Sequence, residues 1–160
     1  MPVVYYKNPL GFARIEAEDD LVTSVLIYDE ARDDATESCP AIDLAETQLN
    51  EYFAGSRLNF DFPYQQKGSD FQQEVWRELE RIDYGKTITY AQQANRMNNP
   101  LGIRAIASAN GRNHMWVVVP CHRVIGSNGS LTGYAGGLWR KQWLLQHEAK
   151  VIGVGQTSLF

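Results

Sequence analysis

Cysteine is scarce in this chain, and long apolar runs are missing. The two cysteines, Cys39 and Cys121, are too few for a disulfide framework, and no CxxC pair or Cys/His cluster indicates a metal site. No apolar stretch approaches the roughly 20 residues that cross a bilayer. The first residues lack the basic and apolar regions of a signal peptide. We therefore expect a cytoplasmic protein without a metal and without a membrane partner.

The composition is that of a globular protein. Of the 160 residues, 44% are hydrophobic and 21% are charged, which excludes a disordered acidic chain and a low-complexity protein. A chain of this length forms one domain, or two small ones.

Charge is distributed unevenly along the sequence. Residues 1–83 contain 7 basic and 18 acidic side chains, whereas residues 84–160 contain 8 basic side chains and one acid, Glu148. A basic half in an acidic protein favours a polyanionic partner such as nucleic acid for that half. Attraction between the two halves, or a skew without function, is the alternative.

The first 67 residues predict a small β-rich domain. Alternating apolar residues indicate strands over 3–7, 12–18 and 21–28, with a turn at Asp19-Asp20. Helical spacing follows from Ile42 to Tyr52, with Gly55 as the stop. Residues 58–64 are predicted to form a further strand. The acidic segment ends in a linker, so we place a domain boundary after residue 67.

Residues 68–160 predict a mostly helical domain of winged-helix or helix-turn-helix type, which makes the chain α+β. Ser69 with Gln72, and Thr89 with Gln92, have capping-box spacing and open two helices. A short helix over 101–109 follows the second of these, as in a helix-turn-helix unit. It is almost free of bulky side chains, and Arg104 is its one long charged residue. The last helix runs over 138–148.

The residues most able to carry chemistry follow a buried apolar run. Residues 116–119 predict a strand that ends at Pro120, and Cys121 and His122 come next. A free thiol has a pKa of about 8.5, so a nucleophilic cysteine needs a base, which His122 can supply directly or through water. Glu148, the only acid of this half, is the natural partner for the imidazole. A buried, inert cysteine is the alternative.

A glycine-rich stretch follows the cysteine. Residues 126–137 match neither a Walker A loop nor a dinucleotide fingerprint. We expect a hairpin followed by a flexible loop over a pocket.

The segment Val119-Pro120-Cys121-His122-Arg123-Val124 resembles the active-site signature of the O6-alkylguanine-DNA alkyltransferases, also called methylated-DNA–protein-cysteine methyltransferases. The similarity extends from about Phe71 to Glu148, whereas the first 67 residues match only in their β-rich character. The resemblance implies irreversible transfer of an alkyl group from O6-alkylguanine in double-stranded DNA to Cys121, after minor-groove binding and base flipping. It implies no cofactor, a protein that is monomeric when free, and alkylated thymine as a further substrate to be tested.

The resemblance also implies roles for individual residues. The catalytic residues would be Cys121, His122, Glu148, Tyr90 and Asn113. Contacts with DNA would come from Arg104, Gly102, Ala105, Ala107, Ser108 and Arg123. The pocket for the flipped base would include Val124, Tyr134, Ala135, Lys141 and Trp116. Within these sets Arg104 would fill the gap left by the base, and Tyr90 would assist its rotation and protonation.

Three positions depart from the family pattern. Ala135 stands where many members have serine, His114 follows Asn113 where proline is usual, and Trp116 occupies a position often held by a smaller residue. The first removes a hydroxyl near the alkylated oxygen, and the last is expected to restrict bulky adducts.

Two other classes of function are compatible with the residues alone. A DNA-binding lesion sensor would retain its output when Cys121 is replaced by alanine. A cysteine hydrolase, suggested by the Cys/His/Glu set, would turn over repeatedly on an ester or amide.

Overall fold

A computed structural model describes residues 1–153, so residues 154–160 of the predicted second domain lie outside the described part. The chain divides into two compact units. The first comprises Met1–Lys67 together with His114–Val118, and the second comprises Gly68–Asn113 and the chain from Val119 onward. The sequence alone had assigned residues 114–118 to the second domain, whereas the structure packs this segment with the first unit.

The first unit is an antiparallel sheet with one helix. Its strands β1 (Val3–Asn8), β2 (Gly11–Glu18) and β3 (Leu21–Tyr28) pair in sequence order, as the alternating pattern predicts. Asp19 and Asp20 adopt φ values of 53° and 56°, the left-handed backbone that tight hairpins require. Helix α1 (Pro40–Ala54) buries its predicted apolar face and ends at Gly55, whose φ is 86°.

The prediction of a strand over residues 58–64 is wrong. This segment forms one isolated bridge, from Tyr64 to Val22, and otherwise runs as irregular chain. Its alternating aromatic residues pack on each other instead, with ring centroids 6.0 Å apart for Phe60 and Phe62 and 5.8 Å apart for Phe62 and Tyr64. Pro63 also lacks the N–H donor that a ladder needs.

The second unit is mostly helical. It contains α2 (Asp70–Leu79), β4 (Ile88–Thr89), α3 (Tyr90–Arg96), α4 (Ile103–Gly111), a 3₁₀ turn (Cys121–Arg123), β5 (Val124–Ile125) and α5 (Leu138–Ile152). Both predicted capping boxes are present, at Ser69 and at Thr89. The Nε1–H of Trp76 in α2 donates to the carbonyl of Ala109 in α4 at 2.9 Å, a buried hydrogen bond between the two helices. Strands β4 and β5 pair in parallel, Ile88 with Val124.

The prediction of a buried strand over residues 116–119 is also wrong. Met115 forms a single bridge with Val25, and the chain then turns over residues 116–118. Val117 has a φ of 72°, a left-handed conformation that a β-branched residue rarely adopts. The apolar run therefore reflects burial of these side chains, not extended backbone.

The remaining differences concern the glycine-rich stretch and two helix ends. No second strand follows β5, so residues 126–130 form a turn that leads into irregular chain, without the expected hairpin. Helix α4 begins at Ile103, two residues later than predicted, and Leu101 before it is 99% exposed. Helix α5 continues beyond Glu148 to Ile152, where Gly153 caps it with a φ of 82°. Over residues 1–153, no helix combines the length and apolarity needed to span a bilayer.

Candidate active site

Cys121 opens the 3₁₀ turn that follows Pro120, and its side chain is buried. The Nδ2 amide of Asn113 donates to Sγ at 3.3 Å and to the carbonyl of Val119 at 2.9 Å. Burial raises the pKa of the Cys121 thiol, an effect that the Asn113 hydrogen bond and the positive charge of Lys141 only partly offset. The resting side chain is therefore a neutral thiol, and its use as a nucleophile requires a base.

His122, the residue after Cys121, forms a fully buried pair with Glu148. The Nε2 atom of His122 lies 2.8 Å from Oε2 of Glu148. Burial alone would raise the pKa of Glu148, but His122 and Arg123 outweigh it and hold the pKa well below its usual range. Glu148 is thus a carboxylate that accepts from Nε2–H, which leaves the lone pair of the ring on Nδ1.

The Nδ1 atom of His122 is buried and has no hydrogen-bond partner among the protein groups that the structure describes. Burial lowers the pKa of His122 more than the negative charge of Glu148 raises it, so the imidazole is neutral at pH 7. A buried polar atom without a protein partner is usually satisfied by an ordered water. The ring is therefore a neutral base that can take a proton through such a water.

Arg123 does not fit its predicted role in DNA binding. Its guanidinium donates to Glu148 through Nε at 2.8 Å and Nη2 at 3.0 Å, and to the carbonyl of Ile82 through Nη1 at 2.6 Å. The side chain is 7% exposed. Because these contacts occupy the guanidinium inside the protein, Arg123 orients Glu148 instead of reaching for a phosphate.

A cavity of about 190 Å³ lies beside Cys121 in the second unit. Five of its lining residues are among the predicted site residues: Tyr90, Ala107, Cys121, Tyr134 and Ala135. The other three are Asn110, Gly111 and Gly133. The structure thus brings the thiol, two tyrosines and the thin helix α4 to one cavity.

Three residues predicted for the base pocket do not line this cavity. Val124 is buried in β5, and Trp116 belongs to the first unit, where its backbone N–H donates to the carbonyl of Val25 at 3.0 Å. The Nζ of Lys141 donates to the carbonyls of Thr132 and Gly133 at 2.7 and 3.2 Å. Burial lowers the pKa of Lys141 to about 8. Lys141 therefore supports the chain segment that carries Gly133 and Tyr134, which line the cavity.

Helix α4 offers the surface that was predicted to meet DNA. The side chains of Arg104, Ala105 and Ser108 are exposed, and Gly102 and Ala107 are half-buried. Small side chains and one long cation on an exposed helix suit close approach to a polyanion.

Several contributors to the site were missed by reasoning from the sequence. The backbone N–H of Gly85 donates to Oε1 of Glu148 at 3.2 Å, and Asn110 and Gly111 line the cavity. Gly85 carries no side chain to signal such a role. Asn110 does carry a signal, since it is an amide in a helix whose other residues, apart from Arg104, are small or apolar.

Comparison with known proteins places the chain among DNA-repair methyltransferases. Residues 70–150 match the family described as 6-O-methylguanine DNA methyltransferase, DNA binding domain. The methylated-DNA–protein-cysteine methyltransferase of Mycolicibacterium paratuberculosis is 42% identical over 147 residues, which cover 89% of each chain. The constitutive enzyme of Bacillus subtilis is 44% identical over 138 residues, covering 81% of this chain and 84% of its own.

Solved structures agree with the sequence comparisons. The crystal structure of the Mycobacterium tuberculosis O6-methylguanine methyltransferase superposes with a TM-score of 0.84 at 37% identity, covering 93% of each chain. A crystal structure of the enzyme from the same organism in complex with DNA gives a TM-score of 0.85 at 36% identity, covering 94% of each chain. With its buried Cys121, its His122–Glu148 pair and these similarities, the chain belongs to the methylated-DNA–protein-cysteine methyltransferase family.

Proposed function

We propose that this protein repairs DNA by transferring an alkyl group from O6-alkylguanine to its own Cys121. The observation that carries the proposal is the position of Cys121, whose thiol lines the cavity and accepts a hydrogen bond from Asn113. The curated relatives are named for this reaction on methylated DNA. Every residue assigned to the reaction belongs to one chain, and we propose that the protein is monomeric when free.

The first step is removal of the thiol proton. Neutral His122 accepts it on Nδ1, through a water that links the two side chains, and Glu148 stabilises the resulting imidazolium. Because the pair is buried, the carboxylate is not screened by solvent and holds the ring in the required tautomer. Asn113 stabilises the developing thiolate through its hydrogen bond to Sγ.

The thiolate then displaces the purine from the alkyl carbon. A carbon–sulfur bond forms, the carbon–O6 bond breaks, and the electron pair of that bond passes to the guanine. The guanine takes up one proton, for which the Tyr90 hydroxyl in the cavity wall is the donor; burial raises the pKa of Tyr90, so this hydroxyl is protonated at pH 7. His122 then holds the proton of the thiol and Tyr90 has lost one, so proton transfer through solvent restores both side chains. No cofactor is needed, and the stable thioether consumes the protein.

The damaged oxygen becomes accessible only after the nucleotide leaves the duplex. Extrusion costs a few kcal/mol of lost stacking and pairing. Helix α4 approaches the minor groove with its exposed small residues, and Arg104 occupies the vacated stack. Contacts with the minor groove and the DNA backbone carry little information about base sequence, which suits a protein that acts on a lesion in any sequence context.

Incubation with duplex DNA that contains one O6-methylguanine tests the proposal. We expect the protein to gain the mass of one methyl group in place of hydrogen, on the peptide that contains Cys121, with one event per chain. Mass spectrometry of the digested protein measures this. An unmodified Cys121 peptide under conditions where the DNA is bound would contradict the proposal. Repeated turnover on an ester or amide would instead favour a cysteine hydrolase.

Replacement of Arg104 by alanine tests base extrusion. We expect a decrease in the transfer rate on duplex DNA of about tenfold or more, since each 1.4 kcal/mol of lost stabilisation is a factor of ten. Free O6-methylguanine should react at the wild-type rate, because a free base leaves no gap to fill. Rates of Cys121 alkylation on the two substrates measure this, with Arg96→Ala as the matched control at an exposed arginine of α3. Equal losses on both substrates would refute the role of Arg104.

A further inference from the structure

Two buried amide side chains, Gln93 of α3 and Asn110 of α4, form a reciprocal pair. The Nε2 of Gln93 donates to Oδ1 of Asn110 at 2.9 Å, and the Nδ2 of Asn110 donates to Oε1 of Gln93 at 2.8 Å. Gln93 is fully buried and Asn110 is 6% exposed. The mechanism described above uses neither residue.

The pair joins the two helices that present the main nucleotide-handling residues. Helix α3 begins with Tyr90, and helix α4 carries Arg104 near its start. Asn110 lines the cavity together with Tyr90 and Ala107, whereas Gln93 is not among the lining residues. The amide pair therefore connects the tyrosine wall of the cavity to the wall that α4 forms.

Such a pair fixes geometry more strictly than apolar packing does. Each amide gives one donor and one acceptor to the other, and a shift of either helix would leave polar groups buried without partners. Leucine or methionine at both positions would fill similar space and tolerate sliding. The relative position of α3 and α4 is thus specified at a point where one partner faces the cavity.

We propose that Gln93 is a positioning residue that acts through Asn110 to set the width of the cavity between Tyr90 and α4, so that an extruded alkylguanine is held in line with Cys121. This inference rests on the proposed function. It predicts that the pair affects the rate of alkyl transfer in the bound complex and leaves the affinity for undamaged DNA unchanged.

The test compares three variants with the wild type. Gln93→Leu breaks the pair, the double variant Gln93→Leu/Asn110→Leu replaces it by apolar packing, and the exchange Gln93→Asn/Asn110→Gln keeps two facing amides. The limiting rate of methyl transfer at saturating methylated duplex, the affinity for undamaged duplex and the thermal midpoint are measured for each. Trp76→Phe is the matched control, since it removes a buried hydrogen bond to α4 from a residue outside the cavity lining.

We expect both leucine variants to lower the limiting rate by on the order of 10- to 100-fold, the range for a small misplacement of reacting groups. Their affinity for undamaged duplex should stay at the wild-type value, the exchange variant should recover most of the rate, and Trp76→Phe should transfer at the wild-type rate. If Gln93→Leu does not fold, the limiting rate of the double variant Gln93→Leu/Asn110→Leu tests the inference.

Three results would overturn the inference: a wild-type rate in the double variant, a loss of DNA affinity in proportion to the rate, or an exchange variant no faster than the leucine variants. A wild-type protein that transfers no methyl group would instead overturn the proposed function, which keeps the two failures distinct.

Discussion

Replacement of Cys121 by serine is expected to abolish methyl transfer and to leave binding to duplex DNA intact. Serine preserves the size of the side chain and can still accept the hydrogen bond from Asn113. A hydroxyl is a far weaker nucleophile than a thiol when a single imidazole is the base, because much less of it is ionised. The residues of α4 that we propose to contact DNA lie on a separate element and should be unaffected.

The chain contains its own matched control. Cys39 precedes helix α1 in the first unit, and its replacement by serine should leave one methyl group transferred per chain. Mass spectrometry of the Cys121 peptide and a binding titration with undamaged duplex measure the two effects. Methylation of the Cys121→Ser variant at full yield, or loss of transfer in Cys39→Ser, would show that Cys121 is not the acceptor.

Replacement of Glu148 by glutamine is expected to impair both stability and transfer. Four donors contact this carboxylate: the N–H of Gly85, Nε2 of His122, and Nε and Nη2 of Arg123. An amide would place an N–H₂ group against one of them and leave Arg123 without its counter-charge. Breaking a buried pair in this way costs about 3–5 kcal/mol of the free energy of unfolding.

The effect on transfer follows from the same contacts. Without the carboxylate, His122 loses the partner that fixes its tautomer and stabilises its protonated form, so we expect a rate about 10²- to 10⁴-fold lower. Denaturant unfolding and single-turnover transfer measure the two effects. The control is Glu80→Gln, at an exposed position at the end of α2. Its free energy of unfolding should stay within about 0.5 kcal/mol of the wild-type value.

The pH dependence of the free energy of unfolding tests whether the charge of Glu148 causes the loss of stability. Since folding lowers the pKa of Glu148, its contribution to stability is complete above the unfolded-state value near 4.5 and is lost as the pH falls further, through the folded-state pKa. The difference in free energy of unfolding between wild type and Glu148→Gln should therefore be largest near pH 7 and shrink below pH 4.5. A constant difference across this range would assign the loss to packing alone.

Local signals in the sequence predicted most of the fold. Alternation predicted the three-stranded sheet, and the pairs Ser69/Gln72 and Thr89/Gln92 predicted two helix starts, because these features depend on neighbours within a few residues. The failures at residues 58–64 and 116–119 have a common cause. In both, apolar or aromatic residues meet the demands of burial, and tertiary packing decides a backbone that a local pattern cannot specify.

The site was predictable in part for the same reason. Cys121 and His122 are adjacent in the sequence, and Glu148 stood out as the only acid of its half, so the central pair was inferable. The inward position of Arg123 was not, because it depends on the carbonyl of Ile82, 41 residues earlier. Likewise the place of Trp116 in the first unit depends on its backbone hydrogen bond to Val25, 91 residues earlier, which no periodicity reveals.

The covered thiol has a consequence for the lifetime of the unreacted protein. Oxidants and disulfides attack thiolates that solvent can reach, and Cys121 is both buried and held protonated by a raised pKa. Peroxide and glutathione disulfide should therefore react with Cys121 only slowly, because the side chain on the cavity wall is a neutral thiol and not a thiolate. Cys121 can react only once, and the neutral thiol protects it from side reactions before the lesion binds. We expect it to ionise when the alkylated base is in place beside it and His122 can accept its proton.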